Sequence, residues 1–281
     1  MPKLIDAFLF LNELDLLEIR LNELNSVVDH FVIVESLAMH GSAKTRYRSA
    51  CLANNWDVVR PFEKKIKYVL LDELEPSYTN ALSGWMRENF HRNALMAPVM
   101  ELAQPEDVVM ISDCDEIPRA SALRRVNGIH FLNLDFFYYN VNRYAGPWAR
   151  STIGTLADYQ RAGGFQAPRG RLDMPPTVNY PMIENAGWHF SYFGDIERIR
   201  FKVENFAHSS DDFCKAVNAR DDKQLAADIA AGRDLYRTRG IPMFQYRATD
   251  DARLPAHFLN NRSKYERFTE EFFKKQNREL L

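Results

Sequence analysis

Three cysteines, Cys51, Cys114 and Cys214, are too few and too far apart to build a disulfide framework or a zinc module, whose ligands come in close pairs. A reducing compartment is the simpler expectation. Positive charge is not in excess either: 36 Lys and Arg against 38 Asp and Glu leave a formal net charge of -2. No nucleic acid is therefore expected as a partner, since nothing global would hold a phosphate backbone. Long apolar runs are missing as well. Glu13 and Asp15 interrupt the N-terminal segment before a signal-length core develops, and no later stretch approaches the roughly 20 apolar residues that cross a bilayer. The expectation is a cytoplasmic protein with no transmembrane segment, leaving peripheral contact with a membrane-bound substrate open. No repeat, low-complexity tail or clean linker divides the 281 residues, so one domain over 1–281 is expected.

What is present is a rhythm of short apolar runs and amphipathic segments. Strand-like runs occupy residues 4–10, 31–35, 66–71 and 108–111. Between the first two, Leu14, Leu17, Leu21 and Leu24 recur at intervals of three and four, as on one face of a helix; Leu82, Met86, Phe90 and Ala94 do the same before the fourth. Strands apolar on both sides, alternating with helices, predict an α/β fold with a mainly parallel central sheet flanked by helices. Such sheets bind ligands where the carboxyl ends of their strands emerge. From about residue 128 the text changes: Phe131, Phe136, Phe137, Tyr138 and Tyr139 crowd one run, a stretch rich in Gly, Pro and Arg covers 163–176, and GWHFSYFG is aromatic again.

The fourth run reads VVMISDCDEIPR, four apolar residues and a serine leading into Asp113, Asp115 and Glu116. Residues two apart on an extended chain face the same side, so Asp113 and Asp115 can address one ligand. Paired oxygen donors suit a hard divalent cation that also accepts diphosphate oxygens. The competing reading is a helix cap, with Asp115 ahead of Pro118 and Glu116 in the first turn. Glu35 ends another strand at the same expected edge, where it would meet a uracil or ribose or simply be solvated. Asp6, at the start of its strand, falls at the opposite edge and is left out of the candidate site.

AFLFLNELDLLEIRLNEL, VDHFVIVES, GWMRENFHRNAL, DVVMISDCDEIPR and AGWHFSYFG, in that order over roughly residues 4–265, together resemble glycosyltransferase family 17. The resemblance implies a GT-A-like fold with a nucleotide-sugar-binding half at about 1–127 and an aromatic-rich, acceptor-side half at about 128–281. It implies an inverting N-acetylglucosaminyltransferase that uses UDP-N-acetylglucosamine and Mn²⁺ or Mg²⁺, with a saccharide or glycolipid acceptor. Asp113 and Asp115 would hold the cation, aided by His189, with His208 competing for that role. Arg87, Arg92 and Asn93 would contact the nucleotide sugar. Read from the residues themselves, Arg169 and Arg171 beside Gly163, Gly164 and Gly170 make either a loop that closes over the diphosphate or an exposed basic loop. An inverting transfer needs a base for the acceptor hydroxyl; Glu184 is the first candidate, followed by Asp195, Glu197 and Glu116. Trp188 would stack on a sugar or pack the core. Two other readings stay open: a metal-dependent nucleotidyltransferase and a non-enzymatic carbohydrate-binding protein.

Overall fold

The computed structural model describes residues 2–37, 50–71, 84–123, 126–170, 179–205, 212–236, 245–246 and 253–280. Nine strands form a single sheet: β1 (Leu4–Phe10), β2 (His30–Ser36), β3 (Ile66–Leu71), β4 (Val108–Asp113), β5 (Glu116–Pro118), β6 (His130–Tyr138), β7 (Arg143–Thr155), β8 (Met182–Ser191) and β9 (Gln245–Tyr246). Their order is β3-β2-β1-β4-β7-β6-β8-β5, with β9 added on β7.

The first four strands follow the expectation. β3, β2, β1 and β4 pair in parallel, and both faces are buried. On β1, Ile5 and Ala7 pack with Val32, Val34, Val109, Ile111 and Val99 of the Met96–Leu102 helix. Phe8 and Phe10 pack on the other side with Leu17, Leu21 and Leu24 of the Leu14–Leu24 helix. Leucines three and four apart thus do what their spacing predicts.

Beyond β4 the mainly parallel expectation is corrected: the sheet is mixed. The β4–β7, β6–β7, β5–β8 and β7–β9 pairs are antiparallel, while β6 and β8 run parallel. Only four residues, 139–142, join β6 to β7. A connection that short makes a hairpin and excludes a parallel crossover. The sheet also curls. β5 begins two residues after β4 ends, yet it hydrogen-bonds at the far edge, on β8. Strands β4, β7, β6, β8 and β5 must therefore bend round into a half-barrel. Gly187 permits the closure: its φ is 149°, and a Cβ there would stand 2.2 Å from the Ile117 carbonyl oxygen and 2.7 Å from Pro118 Cα.

One buried side chain fixes the turn between β4 and β5. Arg20, fully buried on the Leu14–Leu24 helix, donates through Nε and Nη2 to the Asp6 carboxylate at 2.8 and 2.5 Å. Its Nη2 also reaches Ser112 Oγ at 2.6 Å, while Nη1 donates to the carbonyls of Asp113 at 2.9 Å and Glu116 at 2.8 Å. Asp6 is thus a structural counter-ion, consistent with its place outside the candidate site. Removing one partner of a buried pair costs about 3–5 kcal/mol, because the other charge is left uncompensated. Arg20→Met is expected to lower the unfolding free energy by about that much in urea titrations, and Asp6→Leu with Arg20→Met to recover part of it. A loss for Arg20→Met as small as that of an exposed ion pair would show that the clamp carries little.

Candidate functional site

The parallel strands place a cavity of about 210 Å³ at their carboxyl ends. The chain runs outward from β1 to β2 and β3, then returns to lay β4 on the other side of β1. Strands diverge at such a reversal and leave a crevice. Leu9 and Phe10 of β1, Val34 and Ser36 of β2 and Asp113 of β4 line it. The inner surface of the curl forms the opposite wall, through Phe136 and Tyr138 of β6, Trp148 of β7, and His189 and Ser191 of β8. Alternation explains the choice: on β8, Trp188 and Phe190 point outward into a cluster with Phe258, Tyr265 and Phe268, which leaves His189 and Ser191 facing in. Glu88 and Arg92 enter from the Gly84–Asn93 helix and Lys202 from the Ile196–Asn205 helix.

Charges in the cavity are interlocked. Asp113 accepts from Arg92 Nη2 at 2.7 Å on one oxygen and from Arg169 Nη2 at 2.5 Å on the other. Arg169, buried at the end of a short helix, also donates to both oxygens of Glu116, at 2.8 and 2.9 Å. Glu116 further accepts from Trp148 Nε1 at 2.6 Å and Ser151 Oγ at 2.8 Å. Asp115 accepts from Lys202 Nζ at 2.5 Å, with His189 Nε2 3.6 Å from the same oxygen. The His189 ring stacks on Phe136 at 4.7 Å between centroids and leans on Trp148 at 4.5 Å. Burial alone would push both carboxyls up. The ammonium of Lys202, with the His189 ring beside it, outweighs burial and holds Asp115 well below the usual carboxylate range; Arg169 does the same for Glu116, bringing it to about 2.

The structure thus brings Asp113, Asp115, Arg92 and His189 together, with Glu116 and Arg169 beside them. Other candidates lie elsewhere. Glu35 faces away from the cavity and accepts from the backbone N–H groups of Cys51 and Leu52 and from Tyr68 Oη, at 2.6, 3.0 and 2.8 Å, anchoring the start of the Cys51–Asn54 helix. Asn93 is exposed. Glu184 is exposed on the outer face of β8, where it accepts from Asn133 Nδ2 at 2.6 Å and lines a separate concavity. Asp195 accepts from the Arg198 backbone N–H in the first turn of its helix, and Glu197 is exposed. Trp188 is buried and packs the core. Arg171, His208 and the Arg87 side chain lie outside the described residues. Lys202 and Trp148 went unnoticed in the sequence. Each sits in an ordinary-looking segment, IERIRFKVEN and RYAGPWARSTIGT, and neither segment signals its distant carboxylate partner.

Comparison with known proteins decides the family. Residues 1–268 match glycosyltransferase family 17. The chain belongs to that family. Among curated proteins it is similar to the beta-1,4-mannosyl-glycoprotein 4-beta-N-acetylglucosaminyltransferases of human (31% identity over 72% of this chain and 42% of the relative), mouse (30%, 85% and 48%) and rat (26%, 85% and 48%). The chain spans about half the length of these relatives. Among the described residues, no helix is long and apolar enough to cross a membrane.

The expected divalent cation must be tested against the residues of this family 17 site. Oxygen and imidazole donors are of the right kind. Their arrangement is not: among the described residues, no three His, Cys, Asp or Glu side chains converge to hold a metal ion. Asp113 turns to two guanidiniums and Asp115 to an ammonium, so fixed cations already face both carboxylates. As arranged, Asp113, Asp115 and His189 do not by themselves make a metal site.

The pH dependence of stability follows from the depressed carboxyls. A carboxyl whose folded pKa lies below its unfolded value contributes stability that is fully present above the unfolded value and lost as pH falls through the folded one. For Glu116 that window runs from 4.5 down to about 2, and Asp115 extends it in the same direction. Urea midpoints of the wild type should therefore fall steadily below about pH 4.5, and Glu116→Gln should flatten that slope while lowering stability at pH 7. An unchanged slope in the variant would mean that Arg169 does not hold Glu116 ionised.

Proposed function

We propose that this family 17 protein transfers N-acetylglucosamine from UDP-N-acetylglucosamine to a hydroxyl of a saccharide. The donor's diphosphate would lie in the cavity at the ends of β1 and β4. The observation that carries this reading is the convergence there of Arg92, Arg169 and Lys202, each oriented by a carboxylate of the D-x-D-E turn. Departure of the nucleotide leaves negative charge on a diphosphate oxygen, and preoriented cations stabilise it without reorganising solvent. Trp148 and Tyr138 supply an aromatic wall of the kind on which a sugar ring packs. The relatives' names specify a mannosyl glycoprotein, which supports a mannose-containing saccharide as acceptor.

Asp115 and Glu116 serve as placers of charge in this reading. Carboxyls held this far below neutral pH are weak bases, and general-base catalysis favours a pKa near the working pH. A divalent cation, Mn²⁺ or Mg²⁺, is part of the proposal on grounds of charge balance. Among the described residues, Glu13, Glu88, Asp113, Asp115 and Glu116 line the cavity against three permanent cations. A nucleoside diphosphate adds further negative charge, which a cation arriving with the donor would offset.

Two measurements test this. With UDP-N-acetylglucosamine and mannose-containing acceptors, UDP should be released and the acceptor should gain a sugar. Asp115→Asn and Arg169→Ala should each slow turnover by about 10²-fold or more. Release of N-acetylglucosamine 1-phosphate, with UMP joined to the acceptor, would instead establish nucleotidyl transfer. Calorimetric binding of UDP should weaken about tenfold or more after chelation and recover on adding Mn²⁺. Affinity unchanged by chelation would remove the cation from the proposal.

A further inference from the structure

A second concavity, of about 410 Å³, lies on the outer face of β6, β7 and β8. Its size falls within the roughly 300–1,000 Å³ of ligand sites. Alternation separates it from the donor cavity. On β6, Phe136 faces the donor cavity, whereas Asn133 and Asp135 point outward; on β8, Glu184 is outward and His189 inward.

Its lining has a distinct chemistry. Arg119 and Arg253 carry positive charge, Asp135 and Glu184 carry negative charge, and the amides of Asn133 and Asn185 add neutral donors and acceptors. Formal charge therefore cancels, unlike in the donor cavity. A phosphate would meet two carboxylates here and a metal ion two guanidiniums, so neither is favoured. Closely spaced donors and acceptors with no net charge suit a ligand whose groups both donate and accept, namely a chain of hydroxyls. Tyr144 adds an aromatic ring at the edge.

The concavity is also built from held parts. Trp188, buried beneath it, supports the Arg119 guanidinium at 4.3 Å from its ring and donates through Nε1 to the Arg253 carbonyl. Arg119 Nη2 lies 3.4 Å from Asn185 Oδ1, and Asn133 Nδ2 donates to Glu184 at 2.6 Å. Two polar atoms at the lining, Asn133 Oδ1 and Arg119 Nε, are screened from solvent without a hydrogen-bond partner among the described residues. Unsatisfied groups of this kind are uncommon in folded proteins and call for a partner.

We infer that this outer concavity is a saccharide-binding site, separate from the donor cavity and specific for neutral oligosaccharides. The inference does not depend on which sugar is transferred. Three neutral trisaccharides, mannotriose, triacetylchitotriose and maltotriose, are titrated into the full chain and followed by calorimetry and protein NMR, with UDP titrated into the same samples. At least one trisaccharide should bind. Asn133→Ala and Glu184→Ala should each weaken it about fivefold or more, leaving UDP affinity unchanged. Failure of all three to bind, or binding insensitive to both substitutions, overturns the inference. Intact UDP binding in the same samples would then leave the donor-cavity reading standing. Binding of inorganic phosphate or Mn²⁺ competing with the trisaccharide at these residues would also overturn it.

Discussion

The Arg20 guanidinium is the constraint on which the rest of the structure turns. Fully buried, it must find acceptors for its whole fork of donors. Asp6 supplies two, Ser112 a third, and the carbonyls of Asp113 and Glu116 two more. Two carbonyls three residues apart can address one group only if the chain turns between them. That turn places Cys114 and Asp115 at the tip and sends Glu116 off along β5 toward β8. The same residue therefore orders the carboxylates and forces the sheet to curl. A buried pair of this kind gains little net stability over well-packed apolar residues; what it fixes here is the direction of the chain.

The curl then decides the electrostatics of the cavity. It carries Trp148, Ser151 and His189 across to the carboxylates that β4 and β5 deliver, and Arg169 bridges Asp113 to Glu116. Among the described residues, Arg92, Arg169 and Lys202 at the cavity are each oriented by a carboxylate. The cost is that each carboxylate also competes with the diphosphate for its cation. Asp115 and Glu116, with pKa values driven far down by Lys202 and Arg169 in spite of burial, keep this competition constant across neutral pH. Such a site gains charge placement that does not titrate and loses those two groups as proton acceptors.

Much of this was legible in the sequence, and the boundary is physical. The four parallel strands were readable because each is apolar on both faces, and Asp113 and Asp115 because charge ends such a run abruptly. Arg92 and His189, which line the cavity, stand out in the sequence through the resemblance of their segments to the family. A strand-end carboxylate looks the same in sequence whether it meets a ligand or a helix start; Glu35 accepts from the backbone of Cys51 and Leu52, sixteen and seventeen residues away. Nearness in sequence to His189 does not fix the face of the strand, and Glu184 lies on the outer face of β8. Pairing of β5 with β8 joins residues about seventy apart, and no local pattern encodes it. Lys202 and Trp148 depend on that pairing and were invisible for the same reason.

Period-two alternation along β6 and β8 makes one set of strands serve two surfaces. Phe136, His189 and Ser191 face the curl's interior, while Asn133, Asp135 and Glu184 face out. Ordinarily the outer face of a solvated antiparallel sheet is polar but flat. Here β8 carries extra residues where Leu132 pairs with Ile183 and Leu134 with Gly187, and Asn185 in that bulge has a φ of 51°. Bulges re-aim side chains and deepen local twist. The irregularity spans an even number of added residues, so it leaves His189 facing inward while lifting Glu184 and Asn185 into a rim on the outside. The same closure that the inner site requires at Gly187 thus gives the outer face its concavity.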